Sequence, residues 1–267
     1  MIVLQIETNP MLPFYVIGVL LLFFIFYIAR KRRRSLQNFT KRLFVNKSSV
    51  LSNDEYKKIA LGALYSEQQM AFINSMETGL DKDSINRITE DAWQINSEQD
   101  ALETLEYLSH KGYEFYFPAV VAALNIPEVE RNNFLNESFD DRADVKKAKA
   151  QLQHLEETMQ ELKNERIIQS QADMIRYGVA GWDVGRLVFM ARLLYNAGYI
   201  NVQQAWSYIN HAQSVAKANF SSWRDFASSY IIGRALWGGR DGANKSIANI
   251  ARYLLNDKES PWVKFTW

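Results

Sequence analysis

The sequence contains no cysteine and only three histidines among its 267 residues. Without cysteine the chain cannot have a disulfide scaffold, a thiolate zinc site or a cysteine nucleophile. The histidines, His110, His154 and His211, are scattered, and none has a second His or Cys three or four residues away. This spacing predicts no metal site, and no cofactor is expected.

Nucleotide-binding motifs are lacking as well. The Gly-rich turn at residues 238–242 follows a predicted helix and matches neither the Walker A pattern nor a strand followed by GxGxxG. Termination of a helix is the simpler interpretation of these glycines. The sequence therefore gives no catalytic signature, and we lean towards a protein that is not an enzyme.

The near-zero net charge hides two parts of opposite sign. Of the 31 basic and 30 acidic residues, residues 1–50 hold eight and one, which leaves 23 and 29 for residues 51–267. The first part thus carries about +7 and the second about −6, an asymmetry typical of an anchor or tail joined to a separate body. The acidic body argues against nucleic acid as a partner.

An uncharged apolar run occupies residues 11–29. Its nineteen residues would form about 28 Å of helix, close to the ~30 Å hydrocarbon core of a bilayer. A cleaved signal peptide is the rival interpretation, but it requires basic residues before the apolar stretch, and here they follow it. The pattern predicts a single transmembrane helix.

Five consecutive basic residues follow this run: Arg30, Lys31, Arg32, Arg33 and Arg34. Because basic flanks remain on the cytoplasmic side, we expect the N-terminus outside and the C-terminal domain in the cytoplasm, tethered to the membrane. Contact with anionic lipid fits the same cluster. The expected organisation is an anchor with its basic flank (1–34), a linker (35–52) and a domain (53–267).

Helical patterns recur throughout the body and predict an all-α fold. Residues 54–76 carry apolar positions at helical spacings, which predicts one helix. Ser97, Asn201 and Ser222 are expected to cap later helices at their N-termini, whereas Gly198 and Gly239 should end them.

A highly charged segment at about 130–170 is interpreted as a helical insert. It places Leu152, Leu155, Met159 and Leu162 at three- and four-residue spacing, about two heptads of an apolar seam. A surface helix that packs one face on the body is the simpler interpretation. Self-association through this seam is the alternative.

The second half of the chain contains a series of Trp, Gly and Arg residues in a distinctive order: Trp182-Asp183-x-Gly185-Arg186, Ala191-Arg192, Gly198-Tyr199, Ala205-Trp206, Phe220-x-Ser222-Trp223, Tyr230-x-x-Gly233-Arg234, Trp237 and Ser260-Pro261-Trp262. This series resembles the bacterial domain of unknown function 1266 family, over roughly residues 55–267. The resemblance implies a largely helical bacterial domain and no particular reaction, so the membrane of the predicted anchor is expected to be the bacterial inner membrane.

The charged and aromatic members of this series form the one candidate ligand site. Asp183 and Arg186 are three residues apart on one predicted helix and can pair, and Gly233 would allow close approach beside Arg234. Two interpretations stay open. The cluster is either a buried ion-pair network or a ligand-binding pocket for an anion, made by Trp182, Asp183, Arg186, Trp223, Arg234 and Trp237.

Three functional hypotheses follow. The first is a membrane-tethered interaction or regulatory module that binds a protein partner or self-associates. The second is an enzyme or binder that holds a small anionic ligand in the Trp/Asp/Arg pocket. The third is an immunity-type partner of a neighbouring gene product.

Overall fold

The computed structural model describes residues 43–267. The expected membrane helix at 11–29 and the basic cluster at 30–34 lie outside the described residues. From residue 43 onwards all regular structure is helical, which confirms the all-α prediction for this part of the chain. No helix within residues 43–267 is both long and apolar enough to cross a bilayer.

Thirteen α-helices follow one another in the described part of the chain. They are α1 (Asn53–Ile59), α2 (Ala63–Gln69), α3 (Lys82–Asn86), α4 (Glu98–His110), α5 (Phe117–Leu124), α6 (Glu128–Glu137), α7 (Arg142–Asn164), α8 (Gln171–Tyr177), α9 (Ala180–Ala197), α10 (Val202–Asn219), α11 (Trp223–Gly238), α12 (Ala243–Asn256) and α13 (Pro261–Lys264). A 3₁₀ turn (Ala60–Gly62) joins α1 to α2, and a π-helical turn (Arg87–Ala92) follows α3.

Helix α9 is the centre of the domain. Every residue from Ala180 to Leu194 is buried, and the helix packs against α4, α10 and α11. A helix that is apolar on nearly all sides must be surrounded by other elements, and this one is. The charged residues of α9 are therefore placed where each requires a partner from the protein.

The predicted helix ends are confirmed. Asn201 and Gln204 form a reciprocal capping box at the start of α10, and Ser222 accepts the Asp225 backbone N–H at the start of α11. Gly198 adopts the left-handed conformation after α9. These signals are local, since each involves residues three or four apart in the chain.

The prediction of one helix over residues 54–76 is wrong. The helix is interrupted by the 3₁₀ turn and ends at Gln69, because Met70 adopts a left-handed conformation with φ of 58°. Residues 71–80 then form a loop. The apolar residue Ile73 is buried as predicted, but it belongs to this loop and not to a helix face.

Buried Arg192 of α9 holds this loop in place. Its guanidinium donates to the backbone carbonyls of Phe72 (2.5 Å) and Glu77 (3.2 Å), and to the hydroxyl of Ser66 (3.0 Å). Burial lowers the pKa of Arg192 to about 9, which leaves the side chain protonated at neutral pH. The loop and Ser66 of α2 thus supply hydrogen-bond acceptors for this buried cation.

Residues 43–51, which the sequence placed in the linker, contact the domain. The backbone N–H of Ile73 donates to the Phe44 carbonyl at 2.9 Å, and the Asn46 backbone N–H donates to the Asn74 side chain at 2.7 Å. Leu43 is buried. This segment is therefore part of the folded unit.

Helix α7 contains the charged heptad-like segment and packs on α5 and α11. Leu152, Leu155 and Leu162 are buried, and Met159 is partly buried against the same core. The apolar seam is thus covered by helices of its own chain. A coiled coil between copies through this seam would require α7 to leave the domain.

Candidate functional site

The first turns of α9 bring Trp182, Asp183 and Arg186 into one buried cluster. Asp183, 5% exposed, accepts the backbone N–H groups of Tyr113 (2.7 Å) and Glu114 (2.9 Å) through one carboxylate oxygen. Its other oxygen accepts from the Arg186 guanidinium. The pairing expected from the three-residue spacing is present, and the turn after α4 provides the remaining donors.

Burial raises the pKa of Asp183, whereas Arg186 and the two backbone donors act in the opposite direction. The geometry favours an ionised carboxylate paired with a cation, because three hydrogen bonds reach the two oxygens. The two charges cancel, so the pair adds no net charge to the core.

Arg186 is also surrounded by aromatic rings. Its guanidinium carbon lies 4.6 Å from the ring centre of Trp182, 5.1 Å from that of Tyr113 and 5.8 Å from that of Trp93. The Trp93 indole is held in turn by a 3.2 Å hydrogen bond to the Tyr65 hydroxyl. The faces of these rings attract a cation, which helps to compensate Arg186 for the loss of water.

Arg234 of α11 occupies a neighbouring position with a different carboxylate. It pairs with Asp241 at 2.5 Å and lies over the ring of Trp237, 4.7 Å from its centre. Trp182 and Trp237 are 6.2 Å apart between ring centres. The expected close approach at Gly233 is also present, since a Cβ there would lie 2.3 Å from the Cβ of Trp182.

Trp237 differs from the rest of the cluster in exposure. Its side chain is 51% exposed, whereas Trp182, Asp183, Arg186 and Arg234 are buried. The indole is supported by the Arg234 guanidinium on one side and by Trp182 nearby. Trp237 therefore presents a supported aromatic surface to solvent.

Trp223, at the start of α11, is grouped with the C-terminal aromatic residues. It stacks on Trp262 with ring centres 5.2 Å apart and meets Trp267 edge-on at 4.7 Å. Its indole N–H donates to the Phe265 carbonyl at 2.9 Å. Of the six predicted ligand-binding residues, the structure brings together five and places Trp223 in this second aromatic group.

A groove of about 210 Å³ opens beside Asp183, between α4, α9 and α10. Its lining combines polar side chains with an aliphatic wall made by Leu108, Val184, Leu187, Ala212 and Val215. Glu114 lies exposed at the groove, beside Ala180 at the start of α9. Partial desolvation and the negative charge of Asp183 raise the pKa of Glu114.

The importance of Glu114 and of the Gly112–Tyr113 turn could not be predicted from the sequence. Nothing in their local pattern distinguishes them from a helix end, because the features that matter are contacts with α9 some seventy residues away. The proximity of two histidines that are far apart in the sequence was not predictable either. His110 and His211 face each other across the groove rim, with ring centres 5.4 Å apart.

The third histidine, His154, does not line the groove. Its Nδ1 atom lies 2.8 Å from the Leu236 carbonyl oxygen. Within residues 43–267, no group of three or more His, Asp or Glu side chains has the arrangement to hold a metal ion. The chemistry that these residues offer is ion pairing, hydrogen bonding and aromatic contact.

Comparison with known families gives one match. Residues 89–267, about two thirds of the chain, match the family model described as Protein of unknown function (DUF1266). No curated protein and no solved structure matches the chain. The matched region contains the whole Trp182 cluster and the groove.

Proposed function

The chain belongs to the DUF1266 family, whose description names no reaction, and we propose that it acts as a membrane-tethered helical domain that binds a protein partner. In this proposal residues 11–29 form the tether and residues 30–34 hold the domain on the cytoplasmic side. The sequence supports the tether through its uncharged apolar run followed by five basic residues.

The proposed binding role rests on the exposure of the Trp237 side chain and on its contact with Arg234. Tryptophan is among the residues that contribute most to protein interfaces, above all when it is rigid before binding. Here the ring is half exposed, and the buried Arg234, itself paired with Asp241, lies under its face. An indole held in this way loses little conformational freedom when a partner covers it.

The other members of the cluster favour a supporting role. The Asp183 carboxylate is fully engaged by Arg186 and two backbone donors. This buried and internally neutral network secures the start of α9 to the turn after α4, and the contact of Trp182 with Gly233 fixes α9 against α11, from which Trp237 projects. The network thus supports the binding surface and need not contact the partner.

Site-specific photo-crosslinking tests this role. A photoreactive amino acid is placed at position 237 of the full-length protein in its native membrane, and at position 263 as a control, since Val263 is also about half exposed. We expect one crosslinked species of defined mass from position 237 and none from 263. The Trp237→Ser variant should lose co-purification of that same species. Equal crosslinking at both positions, or none at either, would contradict the proposal.

The tether is tested separately. Alkaline phosphatase fused to the C-terminus should be inactive, and deletion of residues 11–29 should release the protein from the membrane fraction. An active fusion would contradict the cytoplasmic location without affecting the role of Trp237.

A second candidate, binding of a small anion, is favoured by one observation. The Nη1 atom of Arg234 and the Nε1 atom of Trp182 are buried donors without an acceptor among the residues described. Buried donors are normally satisfied, and a carboxylate or phosphate oxygen would satisfy these. Inorganic phosphate or acetate should then raise the melting temperature of the wild-type protein but not that of Arg234→Gln. Equal effects on both proteins would dismiss this candidate.

A further inference from the structure

The groove between α4, α9 and α10 contains one carboxylate without a cationic partner. Among the charged residues at the groove, Lys111 is paired with Asp144 (2.7 Å) and Asp183 with Arg186. Glu114 forms no ion pair with any of the residues that the structure describes. The charged group that affects its pKa is Asp183, which is also negative. Glu114 is therefore the carboxylate at the groove whose negative charge no ion pair offsets.

The surroundings make this carboxylate suited to a cation. Desolvation raises the pKa of Glu114, and the backbone N–H groups of Val179 and Ala180 oppose this shift without bringing a positive charge to the carboxylate. An anion beside aliphatic walls is stabilised when a cation with an apolar body replaces the water around it. The raised pKa of Glu114 has the same physical origin, since no positive charge offsets the partial desolvation.

The aliphatic walls and the size of the groove restrict the occupant further. Leu108, Val184, Leu187, Ala212 and Val215 offer no hydrogen-bonding side chain. The Ser109 hydroxyl and the Asn219 amide, also at the groove, donate to carbonyls of their own helices. The volume of about 210 Å³ lies below that of sites for drug-sized ligands, which start at roughly 300 Å³. We propose that this groove binds a small organic ammonium compound, with its alkyl body against the α9 and α10 walls and its ammonium group on the Glu114 carboxylate. This site is separate from Trp237 and does not depend on the proposed protein partner.

The test uses three probes of the same shape and different charge: cyclohexylamine, cyclohexanol and cyclohexanecarboxylate. Binding to the full-length protein in detergent is measured by calorimetry and by saturation-transfer NMR at neutral pH. We expect saturable binding of the amine, weaker binding of the alcohol and none of the carboxylate. Glu114→Gln should weaken amine binding by at least about tenfold, because it removes the only charge that the ammonium group contacts.

Two further variants keep the test decisive. Glu103→Gln removes a carboxylate from helix α4, which borders the groove, at a position outside the groove, and it should leave amine binding unchanged. Val215→Phe narrows the groove without altering its charge and should abolish binding of both amine and alcohol. If Glu114→Gln does not fold, Val215→Phe still tests whether the amine binds in the groove.

Several results would overturn the proposal. These are failure of the amine to bind at millimolar concentration, equal affinity for the three probes, and amine binding that persists in Glu114→Gln or in Val215→Phe. Persistence in Glu114→Gln together with reduced thermal stability would show that Glu114 only secures the start of α9.

Discussion

Gly112 and the carboxylate of Asp183 are in direct contact: a Cβ on residue 112 would lie 2.4 Å from the Cγ of Asp183. Gly112 also has φ of +49°, a conformation that other residues rarely adopt. The backbone after α4 thereby comes close enough for Tyr113 and Glu114 to donate their N–H groups to Asp183. The absence of a side chain at position 112 is thus what allows the cluster to form.

The Gly112→Ala substitution should therefore be strongly destabilising. We expect the free energy of unfolding to fall by about 3 kcal/mol or more, from backbone strain together with the clash against Asp183. Gly198→Ala is the matched control. Gly198 has φ of +81°, but a Cβ at this position would meet no heavy atom within 4 Å, so only the backbone cost of about 1–2 kcal/mol applies. Equal losses in urea unfolding would show that the contact with Asp183 is unimportant.

Removal of the Asp183 charge should lower the stability of the fold, because Arg186 is then buried without a counterion. Asp183→Asn is expected to lower the free energy of unfolding by about 3–5 kcal/mol, since it leaves a buried cation without its counterion. The double variant Asp183→Asn/Arg186→Met should recover part of this loss, because the unpaired charge is gone.

The control for this pair is Glu259→Gln, which breaks an exposed ion pair with Lys264. Urea unfolding of that variant should match the wild type, since solvent screens exposed pairs. If Arg186→Met alone were as stable as the wild type, the pair would not contribute to the fold.

Local features of the structure were predictable and long-range ones were not. The caps at Asn201, Ser222 and Gly198 involve neighbours in the chain, and the apolar spacing of α7 correctly marked its buried face. The separation of Trp223 from Trp182 depends on the path of the C-terminal segment, which no local pattern encodes.

The same limit explains the error at residues 54–76 and the omission of Glu114. The apolar spacing predicted that Ile73 lies on a helix face. Ile73 is instead buried in a loop, because the distant Arg192 donates hydrogen bonds to backbone carbonyls of that loop. Glu114 gains its importance from the start of α9 and from the groove, both formed only in the folded chain.

Replacement of Arg192 should loosen the 71–80 loop. In Arg192→Met the carbonyls of Phe72 and Glu77 lose their buried donor, and we expect a loss of about 2–4 kcal/mol. Amide hydrogen exchange should accelerate first within residues 71–80. Arg252→Met is the control, because Arg252 is half exposed and its pair with Glu165 lies at the surface. Unchanged exchange in the loop of Arg192→Met would refute the role assigned to Arg192.

Asp144 should contribute a pH-dependent part of the stability. Hydrogen bonding to Lys111 is the main cause that lowers the pKa of Asp144 from 3.8, with the Tyr116 hydroxyl as a second donor. Because the folded-state pKa is the lower one, this contribution is complete above about pH 3.8 and disappears as the pH falls through the folded-state value.

Asp144→Asn tests this dependence. The difference in unfolding free energy between the wild type and the variant should be constant from neutral pH down to about pH 5 and shrink below pH 3.8. Urea unfolding at a series of pH values gives the measurement. A difference that is independent of pH would mean that the charge of Asp144 has no part in folding.

The contacts of the 71–80 loop bear on where this domain can be cut. The family match begins at residue 89, yet Arg192 takes its three acceptors from Ser66, Phe72 and Glu77, and the Trp262 indole donates to the Ala60 carbonyl at 2.9 Å. A fragment of residues 89–267 would thus keep a buried guanidinium and indole after losing everything that they bind. The boundary of sequence similarity is therefore not a boundary of autonomous folding, and the recombinant domain has to begin at or before residue 43.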